Sequence, residues 1–253
     1  MTEIQNFAVL IDADNVASSN IKGILEEITK SGNPTIKRIY GDFTSSQLNS
    51  WKAVLLENAI TPIQQYAYTT GKNSTDSALI IDAMDILHKE KVDGFCIVSS
   101  DSDFTRLATR LRESGKMVIG IGERKTPQPF IVACDKFVYI EILNHPLTEA
   151  DASEVKKNVD VVDKGLISML TLTINDLADE NGWAYLGEVG SHLMRRKPDF
   201  DPRNYGFDKL TPLVKSLGDF FEIDERSVDG KTIKHIYVRK KINAPVRKRK
   251  NLK

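Results

Sequence analysis

Cysteine is scarce in this chain of 253 residues, with only Cys96 and Cys134. Two cysteines make no disulfide framework. The four histidines (His88, His145, His192 and His235) are scattered, and no HxxxH or CxxC pair occurs. That speaks against a zinc site. Long apolar runs are also missing, since none approaches the ~18 residues of a membrane span. The opening segment, MTEIQNFAVLIDADNV, has no basic n-region and no small-residue cleavage site, and Asp12 interrupts its apolar stretch. A signal peptide is therefore not expected, and a soluble, cytoplasmic chain with no membrane partner is. A net charge is absent too, because 35 Lys and Arg balance 35 Asp and Glu. Taken whole, that balance removes the usual hint of nucleic-acid binding. Nor do Gly120 and Gly122 in IGIGE form a dinucleotide fingerprint, since no GxGxxG opens a helix after the first strand.

What is present is an alternation of elements. Residues 7–11 (FAVLI), 35–40, 61–67, 93–98 and 116–121 read as strands, with a last one at 136–142. Between them, 20–30, 47–58, 75–90 and 103–114 read as amphipathic helices. Continuous apolar strands alternating with helices predict an α/β fold, a parallel sheet with helices on both faces. The pattern changes at a polar stretch, 144–160, that carries Pro146 and several acids. A helix from about 161, shorter ones near 187–196 and 207–217, and strands at 219–224 and 232–239 follow, the last two joined by a turn at Asp229-Gly230. Three helices and a hairpin resemble a winged helix-turn-helix. The expected organisation is a first domain over 1–145, a linker over 146–162, a second domain over 163–240 and a basic tail over 241–253.

Counted by segment, the charge separates. Residues 1–145 are net −3, residues 146–165 net −2 and residues 166–253 net +5. The last fifteen residues hold eight Lys or Arg and no acid, a composition suited to phosphate backbones.

Three acidic spots stand where an α/β site belongs. Asp12-Ala13-Asp14-Asn15 follows the first strand, Asp76 opens the strong helix, and Ser99-Ser100-Asp101-Ser102-Asp103 follows the fourth strand. Ligands of open parallel sheets bind beyond the carboxyl ends of the strands, where strand order reverses. If strands one and four are neighbours, Asp12 and Asp101 meet there. On a helical wheel, Leu79, Ile80, Ala83 and Leu87 fall within ~60° of Asp76, while Asp82 and Asp85 fall on the opposite side, facing water. An inward carboxylate needs a partner. A hard divalent cation shared with Asp12 and Asp101 supplies one, and metal-assisted phosphodiester hydrolysis uses such a set. Each acid also has a plainer role: Asp101, Ser102 or Asp103 as a helix cap, Asp14 and Asn15 as turn residues, Asp76 as a partner of the helix dipole. Lys72 stands four residues before Asp76, where it can meet a phosphate. Asn15 and Ser100 are placed to hydrogen-bond the carboxylates or the substrate.

The segments LIDADN, KNSTDSALIIDAMDIL and FCIVSSDSDFTRLATRLRESGKMVIGIG together resemble the NYN domain, a branch of the PIN-like nuclease superfamily, over roughly residues 5–142. The resemblance implies a PIN-like fold with an acidic site at one edge and a ribonuclease dependent on Mg²⁺ or Mn²⁺. By motif it makes Asp12, Asp76, Asp101 and Asp103 the catalytic and metal-holding acids, with Asn15 and Ser100 accessory. Residues 185–226 resemble an OST-HTH, or LOTUS, domain, which implies a small winged-helix-like (α+β) fold and an RNA partner. There the aromatics Tyr205, Phe207, Phe220 and Phe221 read as core. Exposed Arg195, Arg196, Lys197 and Arg203 read as RNA contacts. Related nucleases often pair, so a homodimer stays open. Two other readings remain. Asp12-Ala13-Asp14-Asn15-Val16 matches the start of haloacid-dehalogenase-type phosphatases, with Asp12 as nucleophile. Alternatively the chain is a non-catalytic RNA-binding adaptor.

Overall fold

The computed structural model describes residues 4–66, 74–144, 164–227 and 234–241. The chain divides into two compact units, Met1–Pro146 and Leu147–Lys253. Lys72, the 146–162 segment, the Asp229-Gly230 turn and residues 242–253 of the basic tail lie outside the described residues.

The first unit is a six-stranded, all-parallel sheet in the order β3-β2-β1-β4-β5-β6. Its strands are β1 (Asn6–Asp12), β2 (Asn33–Gly41), β3 (Thr61–Gln64), β4 (Gly94–Val98), β5 (Met117–Gly122) and β6 (Lys136–Tyr139). Both faces are buried, which is why Phe7–Ile11 of β1 and Gly94–Val98 of β4 are apolar throughout. Phe7, Val9 and Ile11 of β1 face one core, with Ile21, Ile24 and Ile28 of α1 (Ile21–Thr29) and Trp51 and Leu55 of α2 (Trp51–Glu57). Ala8 and Leu10 face the other core. There they meet Leu79, Ala83 and Ile86 of α3 (Ser74–Lys89), Leu107, Ala108 and Leu111 of α4 (Thr105–Glu113), and Phe130 and Ile131 of α5 (Gln128–Ala133).

Local chemistry explains where the sequence reading fell short. The expected helix over 47–58 is a 3₁₀ turn, Ser46–Leu48, capped by Ser45, and then the shorter α2. The third strand stops at Gln64 and the sixth at Tyr139, after which α6 (Glu141–Asn144) begins. Helix α5 is not among the expected elements, and Pro127 and Pro129 stand at its start. They fall at its N-cap and in its first turn, where a missing N–H costs nothing. Gly120 and Gly122 are packing residues. A Cβ on Gly120 would stand 2.5 Å from the Phe137 ring, and one on Gly122 2.5 Å from the Ser99 carbonyl oxygen.

The second unit holds α7 (Lys164–Leu177), β7 (Ala184–Tyr185), α8 (Leu186–Arg196), α9 (Leu210–Ser216), β8 (Phe221–Ser227) and β9 (Lys234–Lys240). The strands form an antiparallel sheet in the order β7-β9-β8. Strand β7 is two residues long, too short to leave a periodic signal in the sequence. One core joins Leu166, Leu170, Val189, Leu193, Val214 and Val238. Phe221 is in it, and Tyr205, Phe207 and Phe220 pack against it, as expected. Among the described residues, no helix is long and apolar enough to cross a membrane.

Candidate functional site

Strands β1 and β4 are direct neighbours, paired from Phe7↔Gly94 to Ile11↔Val98. The chain runs outward from β1 to one side and from β4 to the other, so strand order reverses between them. Strand parity then decides which side chains meet. Asp12 continues the Ala8, Leu10 series and Ser99 the Phe95, Ile97 series, and both series face the core that α3 covers.

Asp12 is fully buried. Its carboxylate accepts from Asn15 Nδ2 at 2.6 Å, Ser99 Oγ at 2.9 Å and the Asp14 amide at 3.1 Å. Burial pushes its pKa up, and the Ser99 and Asn15 hydrogen bonds oppose that rise. Ser99 Oγ also accepts from the Asp101 amide at 3.1 Å, so one hydroxyl joins the first-strand acid to the fourth-strand loop. Asp101 caps the 3₁₀ turn before α4, its carboxylate accepting from the Asp103 amide at 2.9 Å. The cap and the site are therefore one feature.

Asp76 stands half-buried in the first turn of α3. Asp76, Asp101 and Asp103 each offer a carboxylate oxygen, and these oxygens lie within 4.8 Å of one another. Burial, and then repulsion from Asp12, Asp101, Asp103 and Asp14, pushes the Asp76 carboxyl up to about 6. Three hard oxygens this close, one of them costly to ionise, fit a divalent cation such as Mg²⁺ or Mn²⁺.

The structure differs from the sequence reading at several residues. Asp12 is not in the converging trio; its charge reaches Asp76 from a buried position. The serine on Asp12 is Ser99 and not Ser100, whose buried hydroxyl accepts from the Glu123 amide at 2.9 Å and ties the loop after β4 to the end of β5. Both serines were visible in the sequence, but the face each one takes depends on where β4 ends and which side α3 covers. Asn15 bonds Asp12, as expected. Asp82 does not face water. Arg38 and the Tyr40 hydroxyl of β2 both donate to it. The buried side of α3 centres on Leu79, Ala83 and Ile86, which leaves Asp82 on its flank, while Asp85 is exposed and pairs with Lys89. The nucleophile reading of Asp12 meets a carboxylate with no exposed surface and hydrogen bonds to both oxygens.

In the second unit, Arg203 is not exposed. Its guanidinium is bound to Asp201, and both side chains are mostly buried. Arg196 is engaged by Asp176 at 2.5 Å. Arg195 is exposed, its Nε donating to the Ser191 carbonyl one turn back, and Lys197 is half-buried at the end of α8.

The NYN domain family matches residues 6–141, and the OST-HTH/LOTUS domain family matches residues 158–233. No curated protein matches the chain. A solved protein of unknown function from Vibrio parahaemolyticus is 21% identical, covering 55% of this chain and 95% of its own, with a TM-score of 0.47. An uncharacterised protein from Nitrosomonas europaea is 41% identical, covering 30% of this chain and 72% of its own, with a TM-score of 0.28. A protein from Chromobacterium violaceum is 39% identical, covering 30% of this chain and 78% of its own, with a TM-score of 0.25.

Proposed function

Because the chain belongs to the NYN family of PIN-like nuclease domains and carries an OST-HTH/LOTUS domain after it, we propose that it is a metal-dependent ribonuclease whose second unit binds the RNA. The observation that carries this reading is the meeting of Asp76, Asp101 and Asp103 at the β1/β4 switch point, with Asp76 held up to about 6 by its burial and by the carboxylates around it. These three residues would hold Mg²⁺ or Mn²⁺. When bound, the ion supplies a water activated for attack and positive charge against the phosphodiester in its transition state.

The chain's own residues arrange the site. Asp12 places a buried carboxyl group at the end of β1. Asn15 and Ser99 hold its carboxylate, and Ser99 passes that position on to the Asp101 backbone. The Asp101 cap fixes Asp103 at the entry to α4. Asn15 and Ser99 are positioning residues in this reading. The proposed division of labour has residues 1–145 cutting, 163–240 holding RNA with Arg195 and Lys197 among the contacts, 146–162 linking them, and 241–253 adding phosphate contacts.

The test is cleavage of single-stranded and structured RNA with Mn²⁺, with Mg²⁺ and in EDTA. Wild type should cut only with metal, and Asp101→Asn should cut slower by on the order of a hundredfold or more. Equal rates for the two proteins, or cleavage indifferent to EDTA, would remove the proposal. RNA bound without turnover under either metal would instead favour the adaptor.

A further inference from the structure

The sheet of the second unit has one face in the core and one outside. Ala184, Phe221 and Val238 point into the core, with Ile223 and Ile236 against it. Side chains alternate along a strand, so Tyr185 of β7, Glu222, Asp224 and Arg226 of β8, and His235, Tyr237 and Arg239 of β9 occupy the outer face. The strand register sets them in rows: Arg226 opposite His235, Asp224 opposite Tyr237 opposite Tyr185, and Glu222 opposite Arg239.

These rows form a continuous layer of planar groups. Tyr185 stacks on His235 with centroids 5.3 Å apart and meets Tyr237 at 5.8 Å. The Arg226 guanidinium lies 4.1 Å from the Tyr237 centroid, and the Arg239 guanidinium 4.5 Å from that of Trp183. Asp224 and Glu222 accept from these arginines at 2.8 Å, which fixes the guanidiniums over the rings. The layer is open to solvent, with Tyr185 37% exposed and the Arg226 and Arg239 side chains 40% and 39% exposed.

From this layer we infer that the outer face of the β7-β9-β8 sheet is a stacking platform for the unpaired bases of single-stranded RNA, a proposal that rests on RNA being the partner in the reading above. Nucleobases stack on aromatic rings and on guanidinium planes alike. Duplex RNA hides its base faces in its own stack and cannot use such a layer. The two ion pairs neutralise the guanidiniums, so the arginines act here through their planes. Phosphates are served at the edges. At the strand ends stand three exposed lysines: Lys240, Lys234, which pairs with Glu225, and Lys241, which donates to the Gly218 carbonyl. The earlier candidates, Arg195 and Lys197, lie on or after α8 and not on this face.

The experiment uses the full chain with Asp101→Asn, in EDTA, and a labelled unstructured RNA of about 12 nucleotides beside a duplex of the same sequence. Single-stranded RNA should quench tryptophan emission, and Trp183→Phe should keep the affinity and lose the quench. Tyr185→Leu with Tyr237→Leu should weaken single-strand binding about tenfold or more and leave the weaker duplex binding unchanged. Tyr185→Phe with Tyr237→Phe keeps the rings and should bind as wild type. Unchanged single-strand affinity in the Leu variant overturns the platform. So does an equal loss in the Phe variant, or duplex bound as tightly through the same residues. Because binding is read without metal, a working platform on a chain that never cuts removes only the nuclease reading. Cleavage by a chain whose Leu variant binds normally removes only the platform.

Discussion

Asp76 loses its proton against its own burial and, after that, against four other carboxylates, Asp12, Asp101, Asp103 and Asp14. Its pKa rises from the ordinary 3.8 to about 6, so between those values the folded chain keeps a proton that the unfolded chain has lost. The stability that comes from holding that proton is complete below the unfolded value and is lost as pH rises through the folded one. In EDTA, the melting temperature of wild type should therefore fall relative to Asp76→Asn between about pH 4 and pH 7.5. Added Mn²⁺ should restore wild type at the higher pH and do little for the variant. Parallel pH profiles for the two proteins would show that neither burial nor the neighbouring carboxylates raise the Asp76 pKa. Asp76 was legible in the sequence because an acid on the apolar side of a strong helix is an anomaly. Ser99 was not distinguishable from Ser100, since one residue of strand register separates a serine on Asp12 from one on the Glu123 amide.

Helix α3 presents Asp76, and its own position is fixed two turns later. Asp82 receives Arg38 and the buried Tyr40 hydroxyl from β2, which clamps the helix to the strand next to β1. Burial and the bond to Asp82 push the Tyr40 hydroxyl pKa up, so it stays a donor at neutral pH. Asp82→Ala strands that donor and should cost about 2 kcal/mol in urea unfolding. Asp85→Ala, one position round the exposed side, should cost less than about 0.5 kcal/mol. Equal costs would mean that the clamp does not hold the helix. The strands and long helices were legible because their apolar periods are strong. Asp82 was misread because a wheel centred on Asp76 is not centred on the buried face. Helix α5 is absent from the sequence reading, and prolines that usually break a helix fall at its start.

The zero net charge of the chain is the sum of an acidic first part and a basic second part, so it conceals both. If the second unit and the residues after it hold RNA through cations, KM for RNA should rise about tenfold or more between 50 and 200 mM salt, with kcat at saturating RNA nearly constant. A fall in kcat with a steady KM would place the salt-sensitive contacts in the chemistry instead. The sequence by itself determined the classes of element, the parallel sheet, the smaller second fold that follows it and the presence of acids at strand ends. Each of these is written in local periodicity and composition. Only the tertiary structure decided that Asp12 is buried while Asp76, Asp101 and Asp103 converge, that Arg203 is spent on Asp201, and that the rings and guanidiniums of β7, β8 and β9 form one layer. Those facts depend on which strands are neighbours and in what register, and residues far apart in the chain become partners only when the sheets are assembled.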